Sequence, residues 1–268
     1  MTMIDNASIK LLRRIHSLAR RLTRHINPLR LAQPKVLVLG IYLADRPNLV
    51  RHIVQKLGES MRYRVTQRWA ALNGEAPAPH VEKVTYLKLW QRVPKFALLN
   101  RLMEGVNVAD YDYILLCDDD IQLPEQFLDH LLDRQARYDF ALAQPARTHD
   151  SYTDHPIVEV VDGLDARRTR FVEIGPVVSL RRDAAALLLP FDETCGMGWG
   201  LDLLWPVAME QAGLRMGIID ATPVAHALRP AAKSYGLEEA LAHMHAYLEN
   251  KPHLSKEQAM VVIERYAI

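Results

Sequence analysis

The stretch YDYILLCDDDIQLP, residues 111–124, runs from an apolar segment into three consecutive carboxylates, Asp118, Asp119 and Asp120. Its apolar part, residues 111–117, has the composition of a buried β-strand. One aspartate after a strand is common, because its side chain caps the backbone N–H groups of a turn. Three in a row repel one another, and a bound cation offsets that repulsion. The stretch therefore predicts a strand that ends at a metal site, with a solvated turn as the alternative.

The spacing of the outer two aspartates fits a shared ion. Alternate residues of an extended segment point to the same side, so Asp118 and Asp120 can face one metal. Their hard oxygen ligands suit Mg²⁺ or Mn²⁺, which commonly keep coordination positions open for substrate phosphates. In an open parallel sheet, ligands bind beyond the carboxyl ends of the strands, which is where these residues lie. The pattern favours a metal–phosphate site over a turn.

Strand patterns alternate with helix patterns on both sides of this stretch. Strands are predicted at residues 35–44, 63–72, 84–90, 111–117, 140–146, 171–180 and 214–220. Helices are predicted at residues 45–58, 94–105, 127–138 and 201–213. The alternation predicts an α/β domain with a mainly parallel sheet flanked by helices. Residues 147–170 are polar and histidine-rich, and they are expected to form an irregular loop over the site.

The composition limits the class of protein. Nearly half of the 268 residues are apolar (49%), enough for a sizeable core, and the net charge of +1 argues against a nucleic-acid binder. Cys117 and Cys195 are the only cysteines, too few for a disulfide framework, so a reducing, cytoplasmic compartment is expected. No apolar run approaches the roughly 20 residues that span a bilayer, and no secretory leader is expected.

Residues 1–33 differ from the rest of the chain in charge. They carry seven Lys or Arg and one acid, Asp5, for a charge of +6, which leaves −5 for the remainder. Apolar residues recur every three or four positions from Ile9 to Leu29, which predicts a basic amphipathic helix. Two alternatives stay open: the helix lies on the anionic inner face of the membrane, or it packs on the protein. The predicted organisation is an arm at 1–33, a catalytic domain at 34–236 and packed helices at 237–268.

Five segments follow one another in the predicted domain. They are YDYILLCDDD (111–120), LAQPA (142–146), FVEIGPVVSLRRDA (171–184), GMGWGLDLLW (196–205) and MGIIDATPVAHALRP (216–230). Together they resemble a plant and bacterial family catalogued as a domain of unknown function and once labelled lysine-ketoglutarate-reductase trans-splicing-related. Members of that family look like GT-A glycosyltransferases. The resemblance covers residues 35–236 and implies a GT-A-like fold. It further implies a nucleotide-sugar donor, Mn²⁺ or Mg²⁺ at the Asp-x-Asp motif, and inverting transfer to a glycan or lipid-linked hydroxyl acceptor.

The resemblance also implies residues for the acceptor. Asp202, after the glycine-rich GMGWG, matches the base of inverting GT-A enzymes, a role that typically contributes about 10²–10⁴-fold. The alternative for Asp202 is a helix N-cap, worth about 1 kcal/mol. Trp199 is expected to stack on a sugar ring or to be a core indole. Glu173 is expected in a strand, where it binds an acceptor hydroxyl or lies on the surface. The glycines are expected to let the backbone approach a ligand closely.

For the donor, the resemblance places His226 where many GT-A enzymes supply a histidine to the metal. The predicted metal ligands are therefore Asp118, Asp120 and His226, and an ordinary loop histidine is the alternative for the last. Lys95 begins a helix and is expected, with Asp118 and Asp119, to contact the donor phosphates. The alternative for Lys95 is a surface lysine.

Two other functions stay open. One is a non-catalytic nucleotide- or sugar-binding module, although the aspartates, Asp202 and His226 together favour an enzyme. The other is a metal-dependent nucleotidyltransferase, which ordinarily has a glycine-rich, basic loop after its first strand. The corresponding segment, GIYLADRPN (40–48), has one glycine, and no GxGxxG follows that strand to suggest a dehydrogenase. The sequence therefore favours a metal-dependent glycosyltransferase.

Overall fold

The computed structural model describes residues 33–91, 93–229 and 237–268, and it contains a nine-stranded sheet. The strands are β1 (Lys35–Leu43), β2 (Arg64–Leu72), β3 (Thr85–Leu89), β4 (Tyr113–Cys117), β5 (Phe140–Arg147), β6 (Leu164–Thr169), β7 (Val177–Arg181), β8 (Arg215–Val224) and β9 (Val262–Ala267). The helices are α1 (Val50–Gly58), α2 (Pro79–Glu82), α3 (Lys95–Met103), α4 (Phe127–Arg137), α5 (Arg182–Leu188), α6 (Leu201–Gln211), α7 (Leu237–Leu248) and α8 (Lys256–Ala259). Across these described ranges, no helix has the length and apolar composition needed to cross a lipid bilayer. The predicted arm lies, apart from Gln33, outside the described residues, so both of its alternatives stay predictions.

The strand order in the sheet is β3-β2-β1-β4-β7-β5-β8-β6-β9. β1 pairs in parallel with β2 and β4, β2 with β3, and β5 with β8. β7 runs antiparallel to β4 and β5, and β6 runs antiparallel to β8 and β9. The α/β class is confirmed, but the sheet is mixed rather than mainly parallel. No helix of crossover length separates β5, β6 and β7, so the helix–strand alternation could not indicate their directions.

The centre of the sheet is apolar on both faces, because every residue of β4 is buried. One face packs against α1 and α4 through residues such as Ile53, Leu57 and Leu131. The other face packs against α3, α5 and α6, with Phe96 and Trp205 among the contacts. Burying each large apolar side chain contributes roughly 1.5–3 kcal/mol. These layers hold the carboxyl ends of β1 and β4 side by side at one edge of the sheet.

The first predicted helix begins later than expected. It starts at Val50, with Leu49 at the N-cap position, rather than at residue 45. Asp45 instead pairs with Arg46 at 3.9 Å, near the surface. The turn into α1 is held by Asn48, whose side chain donates to Leu43 O (2.8 Å) and accepts from Val50 N (3.3 Å).

The strand predicted over residues 171–180 begins only at Val177. In the pairing of β4 with β7, Val177 lies opposite Cys117, the last residue of β4. Residues 171–176 therefore have no strand to pair with and form an irregular segment. Glu173 was expected in a strand, but it lies in this irregular segment.

Two strands were missed by the sequence analysis. β6 lies within residues 147–170, which were expected to be irregular, and two of its polar residues, Asp165 and Arg167, are buried in ion pairs. Asp165 accepts from Arg134 Nε (2.6 Å), and Arg167 Nε donates to Asp220 (2.9 Å). Because these buried residues are charged, the sequence of β6 lacks the alternation of apolar and polar residues that predicts a strand. β9 pairs with β6, so residues 237–268 form helices and one strand rather than helices alone.

Candidate functional site

Asp119, the middle aspartate, ties the ends of β4 and β1 together. Its side chain is 3% exposed and accepts a hydrogen bond from Leu43 N (2.7 Å), and its backbone oxygen accepts from Leu49 N (2.6 Å). The Arg229 guanidinium also donates to it. Burial raises the pKa of Asp119 to about 6, although Arg229 and Leu43 N favour its charged form. Through its bonds with Leu43 N and Leu49 N, Asp119 fixes the loop after β1.

Asp118 forms a salt bridge with Lys95, the first residue of α3. Lys95 Nζ lies 2.7 Å from a carboxylate oxygen, and Asp118 N donates to Pro176 O (2.8 Å). Gly175 packs directly over this pair. A Cβ atom at Gly175 would lie 2.9 Å from both Asp118 Oδ2 and Lys95 Nζ, closer than normal packing allows. Only glycine lets residues 171–176 cross the salt bridge at this distance.

Asp120 faces His226, which follows β8, and Arg229. His226 Nε2 lies 3.3 Å from Asp120 Oδ1, and Arg229 Nε donates to Asp120 Oδ2 (3.3 Å). Burial opposes ionisation of Asp120, but the bond from His226 and the charge of Arg229 outweigh it and lower its pKa. Arg229 also donates to Pro47 O (3.2 Å), so it spans the carboxyl ends of β1 and β4. Arg229 was not among the site residues predicted from the sequence.

Arg147, the last residue of β5, connects His226 with Glu173. The Arg147 side chain is buried (3% exposed), and its Nη1 lies 2.7 Å from His226 Nδ1. Its Nη2 donates to Glu173 and to Gly175 O (2.9 Å). Burial raises the pKa of Glu173, and Arg147 offsets part of that shift. A continuous chain of contacts therefore runs from Glu173 through Arg147 and His226 to Asp120.

Asp202 lies in the first turn of α6, two residues after Gly200. Gly200 occupies the N-cap position, so the alternative interpretation of Asp202 as an N-cap was wrong. Burial raises the pKa of Asp202 to about 7, the negative charge of Glu173 adds to the shift, and backbone N–H groups oppose it. Asp202 and Glu173 are thus close enough for their charges to interact.

The glycines of GMGWG serve packing as well as turning. A Cβ atom at Gly198 would lie 1.9 Å from the Phe96 ring, and its φ of +93° is one that side chains rarely adopt. At Gly198 the segment therefore packs against Phe96 of α3, the helix that begins with Lys95. Trp199 is partly buried next to it, and its role stays a prediction.

The predicted three-residue metal site is present only in part. Asp120 and His226 are neighbours, whereas the Asp118 carboxylate is engaged by Lys95. Within the described part of the chain, no three carboxylate, histidine or cysteine side chains lie together as a ready ion site. The assignment of Asp118, Asp120 and His226 as metal ligands therefore stays a prediction. Lys95 lies beside Asp118, and its contact with donor phosphates stays a prediction.

Comparisons with known proteins identify the fold. No protein-family model matches the sequence, and no curated protein matches it either. Among solved structures, GalNAc-T7 with UDP, GalNAc and Mn²⁺ aligns with a TM-score of 0.55 and 9% identity over 84% of this chain. The mannosyltransferase PcManGT from Pyrobaculum calidifontis, in complex with GDP-Man and Mn²⁺, aligns with a TM-score of 0.54 and 13% identity over 90% of this chain.

This chain spans about half of GalNAc-T7 (52%) and 72% of the mannosyltransferase. At these identities the likeness shows the fold alone. The predicted GT-A-like fold is confirmed, and the resemblance to the family of unknown function stays a prediction.

Proposed function

We propose that this protein is a metal-dependent glycosyltransferase, which moves a sugar from a nucleotide-sugar donor to a hydroxyl acceptor with inversion. One observation carries the proposal. At the carboxyl edge of β1 and β4, the cationic Lys95 and Arg229 stand among Asp118, Asp119 and Asp120. A single chain of contacts links that group to Glu173, whose charge reaches Asp202. Donor-binding and acceptor-activating groups thus share one edge of a GT-A-like sheet.

The donor diphosphate is assigned to Lys95 and Arg229. Lys95 is the first residue of α3, where the unpaired N–H groups of a helix N-terminus favour an anion. Both cations are already paired with carboxylates, so a diphosphate would share them rather than meet free charges. The nucleotides named in the two related structures, UDP and GDP-Man, support this class of donor.

A hard divalent ion fits this group at Asp120. Asp119 and Asp120 are adjacent carboxylates that require positive charge nearby, and Arg229 contacts both. Asp120 remains partly accessible, with 13% of its side chain exposed. Mn²⁺ occurs in both related structures, and carboxylate oxygens suit Mn²⁺ and Mg²⁺. When bound, such an ion neutralises the charge that develops on the leaving nucleotide.

Asp202 is assigned as the base. Its pKa of about 7 suits a group that must be ionised before the reaction and protonated after it. Asp202 takes the proton of the acceptor hydroxyl while that oxygen bonds to the anomeric carbon. The bond from this carbon to the donor phosphate breaks, and the nucleoside diphosphate leaves. Glu173, held by Arg147, is assigned to orient the acceptor, and Trp199 to stack on a sugar ring.

The test is a panel of nucleotide sugars incubated with the protein, Mn²⁺ and a mixed glycan acceptor pool. Released nucleotide and the transferred sugar are both measured. We expect one donor to react, Asp202→Asn to lower turnover at least about 10²-fold, and Asp162→Asn to leave it unchanged. Asp162 is an exposed carboxylate in the turn before β6 and is the matched control. Normal turnover by Asp202→Asn would place the base elsewhere, and release of nucleotide without transfer would contradict glycosyl transfer.

A further inference from the structure

We infer that Arg147 fixes the tautomer of His226, so that His226 donates a hydrogen bond to Asp120 instead of binding the metal ion. The inference rests on the proposed function for the presence of an ion at Asp120. It differs from the three-ligand set that the sequence predicted. It also explains why a buried arginine, unforeseen from the sequence, lies beside the predicted ligand.

The contact with Arg147 decides which ring nitrogen of His226 carries the proton. A guanidinium group has five N–H donors and no acceptor. Arg147 Nη1 lies 2.7 Å from His226 Nδ1, so Nδ1 must be the acceptor of this hydrogen bond. An imidazole with an unprotonated Nδ1 carries its proton on Nε2. The lone pair that a metal ion requires is therefore turned toward Arg147 and away from Asp120.

Further contacts hold both Arg147 and His226 in position. Arg147 Nη2 is held by Glu173 and by Gly175 O (2.9 Å), and Arg147 O accepts from Val160 N (2.8 Å). The backbone of His226 is fixed by Ser151 Oγ, which accepts from His226 N (2.9 Å). A buried guanidinium separated from its carboxylate carries a large desolvation cost, so leaving Glu173 is unfavourable.

The hydrogen bonds of His226 differ from those of metal-bound histidines. A ligating histidine almost always donates its second ring N–H to a carboxylate, a carbonyl or water. At His226 the second nitrogen accepts from a cation, which is the opposite arrangement. Its Nε2 lies 3.3 Å from Asp120 Oδ1, and an N–H there can donate to the carboxylate. His226 is thus a positioning residue that orients Asp120, and Arg147 positions His226.

The first measurement uses the metal-free protein. Long-range ¹H–¹⁵N NMR distinguishes a protonated from an unprotonated ring nitrogen, and the His226 signal is assigned by its loss in His226→Gln. We expect an unprotonated Nδ1 and a protonated Nε2. In Arg147→Met we expect both tautomers to be populated. Arg167→Met, which removes an equally buried arginine from its partner Asp220, is the matched control and should leave the His226 signal unchanged. A protonated Nδ1 in the unsubstituted protein would overturn the inference.

The second measurement uses Mn²⁺ with UDP or GDP. Pulsed EPR detects the ¹⁴N coupling of a coordinated imidazole, and we expect none that depends on His226. Loss of an outer-shell hydrogen bond typically costs about 10–100-fold in metal affinity, but the Gln amide can still donate to Asp120, so we expect His226→Gln to bind Mn²⁺ within about threefold of the unsubstituted protein. A ¹⁴N coupling that disappears in His226→Gln would refute the inference. Failure of the unsubstituted protein to bind any Mn²⁺ would contradict the proposed function, and the NMR result would still decide the tautomer.

Discussion

Replacing Gly175 with alanine should weaken donor binding while leaving the fold intact. The added Cβ would lie 2.9 Å from both Asp118 Oδ2 and Lys95 Nζ, and ordinary van der Waals contact begins at 3.4 Å. Each atom must therefore retreat by 3.4 − 2.9 = 0.5 Å or more. Both are ends of flexible side chains, so the strain is relieved by moving the salt bridge and not the backbone.

Gly175→Ala is expected to change the affinity for the donor more than the free energy of unfolding. The Lys95–Asp118 pair is partly exposed, so its loss costs about 0.2–1 kcal/mol of folding free energy. Alanine in place of glycine recovers about 0.4–1 kcal/mol by restricting the unfolded chain, and the two effects nearly cancel. A hydrogen bond to a charged group is worth about 1.5–3 kcal/mol. Displacing Lys95 from the diphosphate should therefore weaken binding by about tenfold or more.

Calorimetry with UDP and GDP in the presence of Mn²⁺ measures the binding, and thermal unfolding measures the stability. Gly58→Ala is the matched control, because its Cβ would meet only Gln67 Nε2 at 3.7 Å, an ordinary contact. It should leave Kd unchanged. Equal Kd values for Gly175→Ala and the unsubstituted protein would refute the reasoning, since Lys95 and Asp118 would then not need their present positions.

Two further predictions concern Asp202, and a third concerns the arm at residues 1–33. Because burial raises the pKa of Asp202 to about 7 and the ionised form is the base, kcat/KM should rise with pH and level off above about 7; a profile that is flat between pH 5 and 8 would exclude this base. The raised pKa also means that ionised Asp202 opposes folding above its unfolded pKa near 3.8, so Asp202→Asn should be more stable than the unsubstituted protein at pH 8 by up to about 4 kcal/mol, and urea unfolding should show this gain shrink as pH falls toward 4. For the arm at residues 1–33, the charge of +6 predicts salt-sensitive co-sedimentation with anionic vesicles, which a chain lacking these residues should lose; binding by neither form would favour the packing alternative.

Local patterns sufficed for the part of the site that lies at strand ends. The apolar run before Asp118 marks a buried strand, and parallel pairing with β1 places its carboxyl end beside that of β1, the edge at which ligands bind in open parallel sheets. Lys95 was named from the family resemblance, and its place at a helix start directly before that strand brings it to the same edge. These features depend on residues close together in the sequence or on a single crossover, which is why the sequence was informative.

The cations that complete the site could not be found in this way. Arg229 meets Asp119 across 110 residues, and Arg147 meets His226 across 79. Neither position has a local pattern that separates it from the many other arginines of this chain. The role of Gly175 could not be predicted from the sequence either, because it depends on two side chains from different elements. The strand β6 was missed for a related reason. Its buried Arg167 forms a salt bridge with Asp220 of β8, and the two residues meet only in the folded chain.

The central claim is that Asp120 holds a divalent ion that supports binding of a nucleoside diphosphate. Calorimetry of UDP and GDP, with and without Mn²⁺, tests it on the unsubstituted protein, Asp120→Ala and the control Asp162→Asn. The account predicts that Mn²⁺ raises the affinity for one of these nucleotides by at least about tenfold in the unsubstituted protein and the control, and that Asp120→Ala abolishes the gain. Equal affinity with and without Mn²⁺ in the unsubstituted protein, or an undiminished gain in Asp120→Ala, would contradict it.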